Sequence, residues 1–141
     1  DSAPDSTPLI QAARGVNDGK PGRIVQAVKA IANDMENPTI ACLGLAYKAD
    51  IDDLRESPAV DITIKIAGQT NCTVLVVEPH IQSLPKSLAE MKNVRLAGLE
   101  RAYNDADVII LLTDHSGFRN LPPVSRTDQK VIDTRGAWRK T

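Results

Sequence analysis

The chain has few aromatic residues: Phe, Tyr and Trp together supply only Tyr47, Tyr103, Phe118 and Trp138 among 141 residues. A protein that stacks bases along a platform needs more rings than that. An excess of positive charge is missing too, since 17 Lys and Arg stand against 18 Asp and Glu for a formal net charge of -1. This excludes the basic footprint of a nucleic-acid partner and gives no pull toward an anionic membrane surface. No apolar run approaches the roughly 20 residues of a membrane span. Residues 1–8 lack the basic start and apolar stretch of a secretory signal. Cys42 and Cys72 are too few for a disulfide framework and point to a reducing, cytoplasmic setting. Both lie in apolar runs and read as small buried hydrophobes. Neither has a basic neighbour to make it a nucleophile.

Hydrophobic residues make up 42% and charged residues 25%, the balance of a soluble globular domain with an aliphatic core. Residues 7–35 read as helical. Ile24, Ala27, Val28, Ile31 and Met35 follow one face of a 3.6-residue helix. Asn17-Asp18-Gly19-Lys20-Pro21 interrupts this pattern, so one helix ends near Asp18 and another starts with Pro21 in its first turn. Asn37-Pro38 closes the region.

From Thr39 the pattern changes to apolar bursts: 39–47, 72–79, 93–97, 107–113 and 130–134 are strand candidates. Unbroken Val, Ile and Leu runs without alternation mark strands covered on both faces, as in a parallel sheet. The segment Val60–Ile66 alternates like a strand. Ser57 as N-cap, Pro58 behind it and Gly68 at the far end favour a crossover helix instead. The expectation is an α/β, doubly wound, Rossmann-like sheet of five parallel strands in the order 3-2-1-4-5, preceded by a helical segment.

Ligands of such sheets bind beyond the carboxyl ends of the strands, where the strand order reverses. That edge carries residues 47–57, Glu78-Pro79-His80, Thr113-Asp114-His115 and residues 135–139. Lys48 and Arg135 stand immediately past strands, Lys48 on the border of the switch crevice. With a helix start at Ser57-Pro58, they suit an anion such as a phosphate or pyrophosphate. Solvated loop residues would also look this way, so position alone leaves both readings open. Other chemistries fail. Gly44-Leu45-Ala46 follows a strand, but the G-x-G-x-x-G dinucleotide fingerprint is absent, and there is no P-loop. His80 and His115 lack metal spacing with any cysteine. Asp50, Asp52 and Asp53 form no EF-hand pattern and are expected to solvate their loop or pair with Arg55.

The run LGLAYKADIDDLRESPAVDI (43–62) is more specific. It resembles the C-terminal, UDP-binding domain of the UDP-glucose/GDP-mannose dehydrogenase family, whose hallmark is LG-hydrophobic-A-aromatic-K followed by D-x-R-E-S-P. VVEPHIQSLP (76–85), LLTDHSGF (111–118) and VIDTRGAWR (131–139) are most similar to the branch acting on UDP-N-acetyl-D-mannosamine. ARGVNDGKP (13–21) is similar to the helix ending that family's middle domain. The resemblance implies an NAD-dependent oxidation of a sugar C6 alcohol to a carboxylate in two steps. Tyr47, Lys48 and Arg135 would then contact the UDP-sugar, and Arg55 would reach NAD. It implies residues 1–37 as a remnant of the middle, dimerisation domain and 38–141 as the UDP-sugar-binding domain, with a homodimer in the full-length protein. The family's NAD-binding domain and catalytic Cys and Lys have no counterpart here, so no catalytic residue is expected and the chain reads as an inactive fragment. UDP-glucose and UDP-N-acetylglucosamine remain alternative sugars, and a non-catalytic UDP-binding or dimerisation module is the competing class.

Overall fold

Why the apolar bursts form a sheet is visible in their burial. The computed structural model, which describes residues 21–69, 71–124 and 127–138, places five short strands side by side, all parallel. They are β1 (Thr39–Leu43), β2 (Thr73–Val77), β3 (Val94–Leu96), β4 (Val108–Leu111) and β5 (Lys130–Asp133), in the order β3-β2-β1-β4-β5. Every residue of β4 is buried, as are the last four of β1 and of β2. Strands covered on both faces have no solvent side to alternate toward. The expected fold class and strand order therefore hold.

Helix α1 (Pro21–Ala32) precedes the sheet. The crossovers carry α2 (Pro58–Gln69), α3 (Lys86–Ala89), α4 (Leu99–Asp105) and α5 (Ser116–Arg119). Alternate strand residues feed two cores. Ile40, Cys42, Val74, Val76, Val108 and Ile110 pack with side chains of α1, α2 and α3 on one face. Ala41, Leu43, Ile109 and Leu111 pack with Ala102 of α4 and Phe118 of α5 on the other. Two crossovers thus lie on each face, as right-handed connections require for this order. No helix among the described residues is long and apolar enough to cross a membrane.

Two details differ from the sequence reading. The strands end earlier than their apolar runs, because the chain leaves the sheet after Leu43 and Leu111. There the Leu43 carbonyl accepts hydrogen bonds from both Leu112 N (2.9 Å) and Thr113 N (3.1 Å), so β1 and β4 part at that point. On α1 the buried face is Ile24, Val25, Val28 and Ala32, while Ala27 and Ile31, and Met35 beyond the helix end, are only half-buried. The stripe is rotated because the helix packs on α2, within the same core as the sheet. The alternating segment 60–66 is helical as expected, with Ser57 Oγ accepting from Ala59 N at 3.2 Å as its N-cap, while Gly68 lies within the helix, which runs to Gln69. The expected helix before Asp18 lies outside the described residues.

Candidate functional site

The strand order reverses between β1 and β4, and a crevice opens there at the carboxyl edge. Ala46, Tyr47, Ser57, Leu112, Thr134 and Arg135 line it, with Ile24 of α1 at its side. Gly44 makes the divergence possible. Its φ is +98°, and a Cβ there would lie 2.5 Å from Thr113 Cβ and 2.9 Å from Thr113 N and O. Only glycine fits both the backbone angle and the space. Gly44 N donates to Val77 O at 2.8 Å, which turns the chain away from β4 and into the loop 44–57.

Two buried side chains hold this loop. Glu78, at the end of β2, accepts hydrogen bonds on Oε1 from Leu45 N (2.8 Å) and Ala46 N (3.1 Å). Its Oε2 accepts from His80 N at 3.0 Å. His115, just past β4, completes the shell with Nε2 2.9 Å from Glu78 Oε1. Burial works to raise the Glu78 carboxyl, but the hydrogen bonds from His115 and from the Leu45 and His80 backbone outweigh it and hold it below its ordinary range. Asp50 N donates to His115 Nδ1 at 2.7 Å. The Asp50 carboxylate in turn accepts from Ser116 N (2.8 Å) and Ser116 Oγ (2.6 Å), bonds that keep it readily ionised.

The second wall is the turn after β5. Asp133 is buried, and its carboxylate accepts from the backbone N–H groups of Arg135 (3.1 Å), Ala137 (3.2 Å) and Trp138 (2.8 Å). Gly136 supplies the left-handed residue in that turn, with φ +69°. The Arg135 side chain reaches Asp114, with Nε 3.7 Å from Oδ1, and Arg119 pairs with the other oxygen of the same carboxylate.

The structure brings Tyr47 and Arg135 to one crevice, beside the N-terminus of α2. There the helix dipole favours a negative charge, although the first N–H groups are already engaged: Ala59 N donates to Ser57 Oγ, and Val60 N and Asp61 N to Ser57 O. Lys48, expected to border the crevice, is exposed and is not among its lining residues, in a stretch where the chain bends away from β1. Arg55 is also exposed and clasps Asp53 through Nε (3.1 Å) and Nη2 (3.2 Å), the pairing expected for that aspartate. Arg139 lies outside the described residues. Of the three aromatics at this edge, only Tyr47 faces the crevice. Phe118 is buried against α4 and His115, and Trp138 donates its Nε1–H to Phe118 O at 2.8 Å. Glu78, Asp133 and His115 were not singled out as supports. The signal was an acidic residue closing an apolar run, in VVEP and VIDT, but sequence alone does not say which N–H groups it will meet.

The glycine directly after β1 turns its open side to Thr113, so it leaves no room there for the close backbone approach of a dinucleotide pyrophosphate.

Comparison with known proteins agrees with this geometry. Residues 41–140 match the family described as UDP-glucose/GDP-mannose dehydrogenase, UDP binding domain. An NDP-N-acetyl-D-galactosaminuronic acid dehydrogenase from Ralstonia solanacearum is 49% identical over 98% of this chain and 32% of its own length. A UDP-N-acetyl-D-mannosamine dehydrogenase from Campylobacter jejuni is 49% identical over 82% of this chain and 28% of its own. Among solved structures, a UDP-N-acetyl-mannosamine dehydrogenase from Staphylococcus aureus superposes with a TM-score of 0.66 at 28% identity, covering 86% of this chain and 28% of that one. The chain thus spans about a third of the length of the curated relatives it matches. Its sequence over residues 41–140, its sheet order and the crevice at its switch point agree: the chain belongs to the UDP-glucose/GDP-mannose dehydrogenase family and carries that family's UDP-binding domain.

Proposed function

We propose that this chain is the C-terminal part of an NAD-dependent UDP-sugar 6-dehydrogenase and supplies the nucleotide-sugar wall of its active-site cleft. The observation that carries this reading is the meeting of Tyr47 and Arg135 in one crevice at the start of α2. Arg135 offers a planar fork that matches phosphate oxygens, and the dipole of α2 favours the same negative charge. The Tyr47 ring, 54% exposed, is free to lie against a base or sugar. Lys48 adds a cation on the adjoining surface.

When bound in the whole protein, NAD supplies the hydride acceptor for a two-step oxidation at the sugar C6. The residues of this chain bind and orient the nucleotide, and Arg55 extends toward the cofactor. Residues 1–37 belong to the middle, dimerisation domain on this reading, and 38–141 to the UDP-binding domain. The parent acts in the cytoplasm as a homodimer, and this chain alone turns over nothing. UDP-N-acetyl-D-mannosamine is the favoured sugar. A second reading, an N-acetylgalactosamine nucleotide sugar, is favoured by the Ralstonia relative's 49% identity over nearly the whole chain.

Steady-state NADH formation by the full-length protein with UDP-linked N-acetylmannosamine, N-acetylgalactosamine, glucose and N-acetylglucosamine tests this. A clear preference for the first in kcat/KM is expected. Turnover of none of them, with UDP still bound, would establish the non-catalytic module instead.

A further inference from the structure

We infer that His115 is a positioning residue for the nucleotide-contacting loop, acting as a neutral imidazole with its proton on Nε2, and that Glu78 fixes this tautomer. The inference rests on the reading that loop 44–57 meets the nucleotide. A backbone N–H can only donate, so the 2.7 Å contact from Asp50 N requires a lone pair on His115 Nδ1. The ring proton then sits on Nε2, where Glu78 Oε1 receives it at 2.9 Å. Glu78 already accepts three backbone N–H groups, those of Leu45, Ala46 and His80, so a carboxylate rather than a carboxylic acid fits that shell. Each bond of the pair is therefore directional, and swapping the tautomer would break both contacts of His115.

What the pair holds is the stretch between its two attachments. Glu78 fixes the loop at Leu45 and Ala46, and His115 fixes it at Asp50. Tyr47 and Lys48 lie between these points, with Tyr47 N closing the loop onto Asp53 O at 2.8 Å. Asp50 itself sits at φ +63°, a left-handed conformation that needs support from its surroundings. That support comes from three bonds to the β4 edge: one to the His115 ring and two from Ser116 to the Asp50 carboxylate.

The same residues could be mistaken for a metal cage, since ligand atoms of Asp50, His80 and His115 lie within 4.8 Å of one another. The His115 Nδ1 lone pair is committed to Asp50 N–H, however, and both Asp50 oxygens are committed to Ser116. The groups facing the His115 ring are the Asp50 carboxylate at 4.0 Å from Nδ1, Glu78 at Nε2, the His80 ring at 4.7 Å between centroids, and the uncharged Phe118 ring. The cluster is a latch on the loop.

Nitrogen NMR of histidine-labelled full-length protein at neutral pH reads the tautomer directly. A pyridine-like Nδ1 and pyrrole-like Nε2 for His115 are expected; the reverse pattern, or an imidazolium, overturns the inference without need of a variant. His115→Leu keeps the volume and removes both bonds. It should weaken UDP binding about tenfold and raise KM for the nucleotide sugar by a similar factor, the scale of one or two lost hydrogen bonds. KM for NAD and kcat should stay near wild type, and His115→Gln, which keeps a donor and an acceptor, should recover part of the loss. A folded His115→Leu protein that binds UDP as tightly as wild type overturns the inference. In that case Arg135→Ala separates the two failures. If it weakens UDP binding, the site stands and only the latch falls; if it too leaves UDP binding unchanged, the site reading has failed.

Discussion

Gly44 and Thr113 approach so closely where β1 and β4 part that a methyl group on Gly44 would lie 2.5 Å from Thr113 Cβ. It would also lie 2.9 Å from the Thr113 backbone nitrogen and oxygen, which no rotamer change can move aside. Gly44→Ala therefore combines an overpacked contact with a left-handed backbone angle and should cost roughly 2–5 kcal/mol of stability. Denaturant unfolding measures it. A loss no larger than that of an ordinary surface substitution would show that the two strands can separate freely at the switch point.

Cys42 lies in the middle of the sheet, fully buried. That burial pushes its thiol up to about 12, with the Thr63 hydrogen bond pulling weakly the other way. In the unfolded chain the thiol ionises near the ordinary value of 9.0. A raised folded value means the unfolded state gives up its proton first, so the stabilisation is complete below pH 9 and is lost as pH rises from there toward 12. The slope should approach 1.4 kcal/mol per pH unit for this one group. Unfolding midpoints at pH 8, 9.5 and 10.5 should fall for the native chain and fall less for Cys42→Ala, each relative to its own value at pH 8. Parallel curves would assign the alkaline loss elsewhere.

These two positions show how far sequence carried the reading. The strand order followed from crossover lengths and handedness, and the buried character of Cys42 from its apolar neighbours, because both are local or topological facts. The clash at Gly44 was not legible, since Thr113 is its neighbour only once β1 and β4 pair. The same holds for Glu78 and His115, whose partners come from different strand ends. On α1 the periodicity gave a helix but misplaced its face by one position, because the stripe is set by α2, a contact that periodicity does not contain. Tyr47 is pointed to by the motif alone, whereas Arg135 carries two independent signals, its place past a strand and a motif. Lys48 had the same signals, yet its side chain lies outside the crevice lining. Position in sequence fixes the edge a residue stands on, not the side to which it turns.

Arg135 pairs with Asp114, and among the described residues it is the cation that lines the crevice. Arg135→Ala should weaken UDP binding about 10- to 100-fold, the range of one to two charge-assisted hydrogen bonds. Arg135→Lys keeps the charge but loses the fork, and should recover only part of that affinity. Calorimetric titration of UDP into the full-length proteins separates these outcomes. Full recovery by lysine would show that charge alone, without bidentate geometry, serves the site.

The turn that presents Arg135 depends on one carboxylate. Asp133 is buried and takes three backbone N–H groups, two on Oδ1 and that of Trp138 on Oδ2. In Asp133→Asn one oxygen becomes an amide donor. Whichever way the amide is turned, at least one backbone N–H then faces another donor instead of an acceptor. A buried donor left without a partner costs about 1–3 kcal/mol, and the turn can relieve it only by moving away. Trp138 reports on that movement, because it is the single tryptophan of the chain and its indole N–H is tied to Phe118 O. The variant chain should show red-shifted tryptophan emission and a lower unfolding midpoint. In the full-length protein its UDP affinity should fall toward that of Arg135→Ala, although no residue contacting the nucleotide has changed. Emission and affinity both equal to wild type would mean that the turn is held by its packing against Phe118, with the carboxylate dispensable.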